Sequence, residues 1–209
     1  MSASPPPGTR VAIVDDDAEL RRSLELLLRS AGLDVSAFRS AQEYLDRPPA
    51  RPVDCIVLDL ELPGPSGLDL QKELATTEGP PIVFLSGTAD VAQSVRAMRG
   101  GAVDFLTKPF EPSELLEALG RAVARGRREG ESRAARARAR ERLAALTPRE
   151  RQVADLVVQG LLNKEIAALI GVGEQMVKVH RQHAMQKLGV ETPVDLSKLL
   201  ETARDPEPG

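Results

Sequence analysis

The feature that most constrains the fold is an alternation running through residues 10–123. A short apolar run followed by a helix-spaced pattern occurs five times over. Residues 10–14 form a β-branched run ending in acids. Leu20, Leu24, Leu27 and Leu28 then recur at the spacing of one helix face, which Gly32 stops in the manner of a left-handed C-terminal residue. Strands are expected at 34–38, 53–58, 81–85 and 103–106, and helices at 41–45, 67–74, 91–98 and 113–123. The runs at 53–58 and 81–85 are continuously apolar, as strands are when helices cover both faces of a parallel sheet.

In such sheets reactive groups gather where the strands end, at the carboxyl edge. The expected first strand ends in Asp15, Asp16 and Asp17, the third in Asp59, the fourth in Ser86, and the fifth in Thr107 and Lys108 before Pro109. Acids, a hydroxyl and a cation from four strands therefore converge. Two carboxylates about 4 Å apart repel by roughly 4 kcal/mol at an effective dielectric near 20. A hard cation relieves that cost, and Mg²⁺, which takes few carboxylates and several waters, fits the inventory. Asp17 suits a helix N-terminus. A capping role for Asp15 and Asp16 would leave Asp59 and Lys108 without an account.

Val14-Asp15-Asp16, the stretch Leu58 to Gly67, Ser86-Gly87, and Ala102 to Phe110 with its Thr107-Lys108-Pro109 together resemble a response-regulator receiver domain. The resemblance covers residues 10–124 and implies a flavodoxin/CheY-like (βα)5 fold with a five-stranded parallel sheet. It implies that Asp59 takes a phosphoryl group from a histidine kinase, and that Asp16, Asp59 and the Glu61 carbonyl hold Mg²⁺, with Asp15 acting mostly through water. Lys108 and Ser86 would meet phosphoryl oxygens, and Lys108-Pro109 would be cis. Ser86 and Phe105 would be the switch that reshapes the face of the fourth helix, fifth strand and fifth helix, where phosphorylated members pair as homodimers. Glu61 and Thr88 would tune dephosphorylation. An aspartyl-phosphate phosphatase is the competing class, since Asp59-Leu60-Glu61 is an acid-x-acid triplet. There, however, the nucleophile ends the first strand and is followed by an acid that is an aspartate.

Charge divides the chain. Residues 1–120 carry a net −8 and residues 121–209 a net +5, of which 121–142 alone supply +6. An Arg/Ala-rich helical connector is expected at 125–143, between a unit at 9–124 and another at 144–204. A solvated helix accounts for its arginines, and direct phosphate contact is the sharper reading.

Residues 143–204 carry no strand pattern. Thr147-Pro148-Arg149-Glu150 combines a cap, a proline at the first helical position and a glutamate three residues after the cap. Val153, Leu156 and Val157 mark its buried stripe, and Gly160 ends the helix. Helices follow at 163–170, closed by Gly171, at 174–188, closed by Gly189, and after Pro193. Short helices with a three-residue turn between the second and third describe a helix-turn-helix. On the third, Val177, Arg181, Ala184 and Leu188 share one side. Gln175, Lys178, Val179, Gln182 and Gln186 point away from it, a polar, acid-poor face suited to a major groove.

These motifs resemble the all-α, four-helix LuxR-type DNA-binding domain, and with the receiver the chain is identified as a member of the FixJ/NarL regulators. The resemblance implies that Lys178, Val179 and Gln182 face bases in double-stranded promoter DNA and that Asn163, Lys164, His180 and Lys187 contact its backbone. RNA polymerase would be a further partner of an activator. Gly173 stands in place of a usual serine cap, Met176 in place of a usual threonine, and Leu162 in place of a small polar residue.

Composition removes other classes. Aromatics are 2% of the chain, with no tryptophan, too few for the stacking platforms of sugar or single-strand binders. The lone Cys55 makes no internal disulfide, and one cysteine with two histidines builds no structural zinc site. The longest uncharged run is the 11 residues 79–89, too short to span a bilayer, and residues 1–9 lack the apolar segment of a signal peptide. A cytoplasmic regulator without a membrane partner is expected.

Overall fold

A computed structural model describes residues 4–77, 79–87 and 91–204. The chain divides into two units at Glu129/Gly130. In the first, β1 (Arg10–Val14), β2 (Asp34–Phe38), β3 (Cys55–Asp59), β4 (Ile82–Ser86) and β5 (Asp104–Thr107) form one parallel sheet in the order β2-β1-β3-β4-β5. Between them run α1 (Ala18–Ser30), α2 (Ala41–Asp46), α3 (Gly67–Thr76) and α4 (Val91–Arg99), and α5 (Pro112–Ala144) follows.

Successive residues of a strand point to opposite faces, and here that alternation feeds two cores. Val11, Ile13, Val57, Val83 and Leu85 pack on one side with α1 and α5 residues such as Leu24, Leu28, Leu115 and Leu119. Ala12, Val14, Ile56, Leu58 and Phe84 pack on the other with Tyr44, Leu70 and Ala97. Every residue of β3 and β4 is consequently buried.

Three strands slide toward their carboxyl ends relative to the apolar runs. β3 runs to Asp59, β4 to Ser86 and β5 to Thr107, because the register pairs Asp59 with Leu85 and Ser86 with Thr107. The early residue Asp54 stays outside β3, its carboxylate accepting the Arg10 N–H at 2.9 Å and the Arg10 guanidinium at 3.2 Å. The expected acceptor and hydroxyl residues are thus final rungs of the sheet rather than loop residues.

The expected fifth helix and helical connector are one continuous 33-residue helix. Alanine and arginine sustain it by propensity, and its first turns gain the buried stripe Leu115, Ala118, Leu119 and Ala122. Several of its arginines are engaged in the fold: Arg121 pairs with Asp104, Arg125 with Glu129 at 2.7 Å, and Arg140 donates to the Ala203 carbonyl at 3.0 Å.

The second unit is helical: α6 (Pro148–Val158), α7 (Asn163–Ile170), α8 (Glu174–Leu188) and α9 (Pro193–Ala203). Its core joins Leu143 of α5 to Val153, Val157, Ile166, Val177, Ala184, Leu188 and Leu196. Gly171, at φ +70°, closes α7 and opens the turn to α8, a conformation that side-chain-bearing residues rarely adopt. No helix among the described residues is long and apolar enough to cross a membrane.

Candidate functional site

The strand order reverses direction between β1 and β3, and open α/β sheets bind ligands in the crevice outside such a switch point. Asp15 and Asp16 follow β1 there, and Asp59 ends β3 beside them. Asp15 and Asp59 are buried and Asp16 is exposed, yet one oxygen from each carboxylate lies within 4.8 Å of the others. From the end of β5, Lys108 sends Nζ between two of them, 2.9 Å from Asp15 Oδ2 and 2.7 Å from Asp59 Oδ2. Asp59 Oδ1 accepts the Glu61 N–H at 3.1 Å, and Asp15 Oδ1 accepts the Asp17 N–H at 2.8 Å. Ser86 is fully buried at the end of the neighbouring strand, and its carbonyl accepts the Lys108 N–H at 2.7 Å. Lys108-Pro109 is cis.

Burial pushes the Asp15 carboxyl above the ordinary carboxylate range; Lys108 opposes this and the Asp59 charge adds to it. Burial alone would lower the Lys108 ammonium, but its bonds to Asp59 and Asp15 outweigh that and raise it. The arrangement is an all-oxygen set with a single cation and an exposed third acid. That donor chemistry fits a hard divalent ion, with Asp15, Asp16 and Asp59 as the side chains able to hold it.

Two supports were not read from the sequence. A Cβ on Gly67 would lie 2.3 Å from the Asp59 carbonyl oxygen and 3.1 Å from both Leu60 Cα and Phe84 Cε1. The start of α3 therefore seats directly under Asp59 only because residue 67 has no side chain. Arg21 Nη1 donates to the Asp15 carbonyl at 2.7 Å, fixing the backbone of the acidic turn from α1. Asp17 caps α1, its Oδ1 accepting from the Glu19 and Leu20 N–H groups. Phe105 is half-buried against the core that contains Phe84 and Ala97. Thr88 lies outside the described residues.

In the second unit α8 buries Val177, Ala184 and Leu188, while Gln175, Lys178, Val179, Gln182 and Gln186 are exposed. Lys178 Nζ lies 3.5 Å from Glu174 Oε1 one turn earlier. Lys164 is exposed and His180 half-buried. Asn163 is held by Arg181, whose Nη1 donates to Asn163 Oδ1 at 3.2 Å across the helix-turn-helix. Gly173 supplies no side-chain cap to α8, and Leu162 none to α7, where Glu165 instead reaches back to the Leu162 N–H at 2.7 Å.

Lys187 does more than offer a surface charge: its Nζ sits 2.7 Å from Oε2 of the buried Glu150. The same carboxylate accepts the Thr147 N–H at 2.8 Å and has His183 Nδ1 at 4.0 Å. The Lys187 bond, then the Thr147 bond, hold the Glu150 carboxyl down to about 2. Thr147-Pro148-Arg149-Glu150 reads as a capping box, which it is, but its glutamate also ties α6 to α8. A pairing over 37 residues leaves no local signal.

Residues 11–120 match the response regulator receiver domain, and residues 144–200 match the luxR family of bacterial regulatory proteins. The chain belongs to the response-regulator family. Nodulation protein W of Bradyrhizobium diazoefficiens is 46% identical over 193 residues, covering 92% of this chain and 85% of that protein. The transcriptional regulatory protein FixJ of the same organism is 37% identical over 190 residues, covering 90% and 93%. Among solved structures, the response regulator StyR superposes with a TM-score of 0.80 at 41% identity, over 93% of this chain and 98% of that one. Full-length FixJ from B. japonicum gives 0.59 at 36% identity, over 95% and 98%. The chain is a FixJ-like transcriptional response regulator: a receiver, which implies a histidine kinase partner, joined to a LuxR-type DNA-binding domain. It is a regulator rather than a typical enzyme.

Proposed function

We propose that Asp59 is the phosphoryl acceptor of a Mg²⁺-dependent phosphorelay that switches promoter binding by this chain. The observation that carries this reading is Lys108 bridging Asp15 and Asp59 in a nest of three carboxylates at the switch point. Asp59 attacks the phosphorus of a kinase phosphohistidine; the P–N bond breaks as the P–O bond forms, and the imidazole leaves. Lys108 Nζ, freed from Asp59 Oδ2 as that oxygen turns to the phosphorus, pairs with a phosphoryl oxygen. The Ser86 hydroxyl donates to another. Mg²⁺, held by Asp15, Asp16, Asp59 and the Glu61 carbonyl, would supply neutralisation of the equatorial charge. Autophosphorylation and dephosphorylation are the only chemistry assigned to the chain.

Phosphorylation then draws Ser86 toward the phosphoryl group and lets the Phe105 ring turn inward behind it. On the face this alters, α4 exposes Val91, Val95 and Met98, apolar side chains that support homodimer formation there. Residues 9–124 act as the phosphoacceptor unit, 125–143 as the connector and 144–204 as the DNA-binding unit. Lys178, Val179 and Gln182 address bases, while Asn163, Lys164, His180 and Lys187 address phosphates. Two half-sites about one helical turn apart supply, through the dimer, the affinity that a weakly charged monomer lacks. The chain acts in the cytoplasm, with RNA polymerase as a further partner where it activates.

Incubation with Mg²⁺ and acetyl phosphate, read by intact mass, is expected to give one phosphate adduct. Asp59→Asn and chelation should each abolish it. An adduct that survives Asp59→Asn would reject the assignment.

A further inference from the structure

The outward side of α8 is not uniformly polar. Met176 is 50% exposed and Val179 is 36% exposed, apolar side chains left bare on a helix whose buried face is already complete. They stand three residues apart, so they are neighbours on one flank, and His183 continues that flank one turn on. Gln175, Lys178 and Gln182 repeat the same spacing on the other flank. The reading helix thus carries two parallel lanes, one apolar and one of hydrogen-bonding groups. From Gln175 to Val190 the chain has no acid but has Lys178, Arg181 and Lys187, a charge balance that suits a polyanion.

We infer that Met176 is a specificity-determining residue which, with Val179, reads thymine 5-methyl groups on adjacent base pairs of the major groove. The inference rests on the proposal that α8 is the DNA-reading helix. The N-terminal turns of such a helix enter the groove, and Met176 is the third residue of α8. Thymine is the base that offers an apolar group there. A rise of about 1.5 Å per residue separates Met176 from Val179 by about 4.5 Å along the axis. Base pairs stack about 3.4 Å apart, so the two side chains meet neighbouring steps rather than one base. The flexible thioether chain of Met176 adapts to a methyl where a shorter polar side chain would reach a phosphate or water instead. The lane of Gln175, Lys178 and Gln182 meanwhile takes the hydrogen-bonding edges of the same pairs.

The test uses the full-length chain incubated with Mg²⁺ and acetyl phosphate, and duplexes that it then enriches from a random-sequence pool. Each recurring thymine of an enriched duplex is replaced singly by deoxyuridine, which preserves every hydrogen bond and removes only the methyl. At two adjacent pairs binding should weaken about fourfold per methyl, the factor that burial of one such group supplies. Met176→Ala should lose sensitivity at one of these positions and Val179→Ala at its neighbour, while Met176→Leu keeps it. An enriched duplex indifferent to deoxyuridine would overturn the inference and leave α8 as the reading helix. No enrichment at all would overturn that reading itself, and the inference with it. A wild-type oligomer that Met176→Ala dissociates without DNA would assign the lane to protein contact, and so also overturn it.

Discussion

The two functional regions are built in opposite ways. In the receiver, Asp15, Asp59 and Lys108 come from three strands and lie 49 or 93 residues apart along each ion pair, and two of the three are almost wholly buried. On α8 the proposed reading residues lie within one eight-residue stretch of exposed helix, Gln175 to Gln182. The difference follows from what each must do. Like charges held together against their repulsion need a rigid, partly desolvated frame that no local segment can provide. A surface that must enter a groove needs only the right side chains at helical spacing. Yet α8 is not self-sufficient, since Glu150 fixes it from α6 through a buried carboxylate.

The sharpest way to break the comparison is Lys108→Ala. On the proposed mechanism it removes the cation bonded to both buried acids, and phosphorylation by acetyl phosphate should slow by about 10²- to 10³-fold. A rate within a few-fold of wild type, measured as initial adduct formation, would mean that the frame alone suffices. Next is Glu150→Ala, which strips the partner of Lys187 and the Thr147 N–H. Unfolding of the second unit should become easier by about 1.5–3 kcal/mol, with protection in the receiver unchanged by hydrogen exchange. Equal loss in both units would contradict their division at Glu129/Gly130.

Gly67→Ala tests how closely the frame fits Asp59. Overlap at 2.3 Å with the Asp59 carbonyl must be relieved by moving α3, at a cost of about 1–3 kcal/mol in urea denaturation. Wild-type stability together with wild-type adduct formation would show that α3 does not position Asp59.

The smallest expected effect is in pH, and its sign should differ between the regions. The Glu150 carboxyl sits near 2 when folded, below its ordinary 4.5, so its stabilisation is complete above pH 4.5 and is lost as the pH falls toward 2. The Asp15 carboxyl is raised, so its folded form holds a proton more tightly than the unfolded chain does. Its penalty is absent below pH 3.8 and develops as the pH rises through the folded value. In metal-free buffer, hydrogen exchange should therefore show Asp15→Asn steepening the loss of receiver stability on acidification, a loss to which the lowered Asp17, Asp54 and Asp69 carboxyls contribute, and Glu150→Gln flattening that of the second unit. Changes of the same sign in the two variants would defeat the contrast.

Much of this was legible in advance where information is local. Val153 and Val157, the glycines that end α7 and α8, and the Thr147-Pro148 start place the helices of the second unit because caps and periodicity act within a few residues. The all-apolar runs ending near Asp59 and Ser86 likewise mark the central strands, and the motifs around them carry the family resemblance. The final rungs of β3, β4 and β5 were displaced because register belongs to pairs of strands, not to one run.

The sequence by itself therefore determined the order of elements, the two kinds of unit, and which side chains were available at the carboxyl edge and on α8. Only the tertiary structure decided that Lys108 lies between Asp15 and Asp59, that α3 seats under Asp59 through Gly67, and that Glu150 is shared by Thr147 and Lys187. Helical spacing and capping are properties of neighbours along the chain. Charge pairing and close packing depend on distances that exist only once remote segments have met.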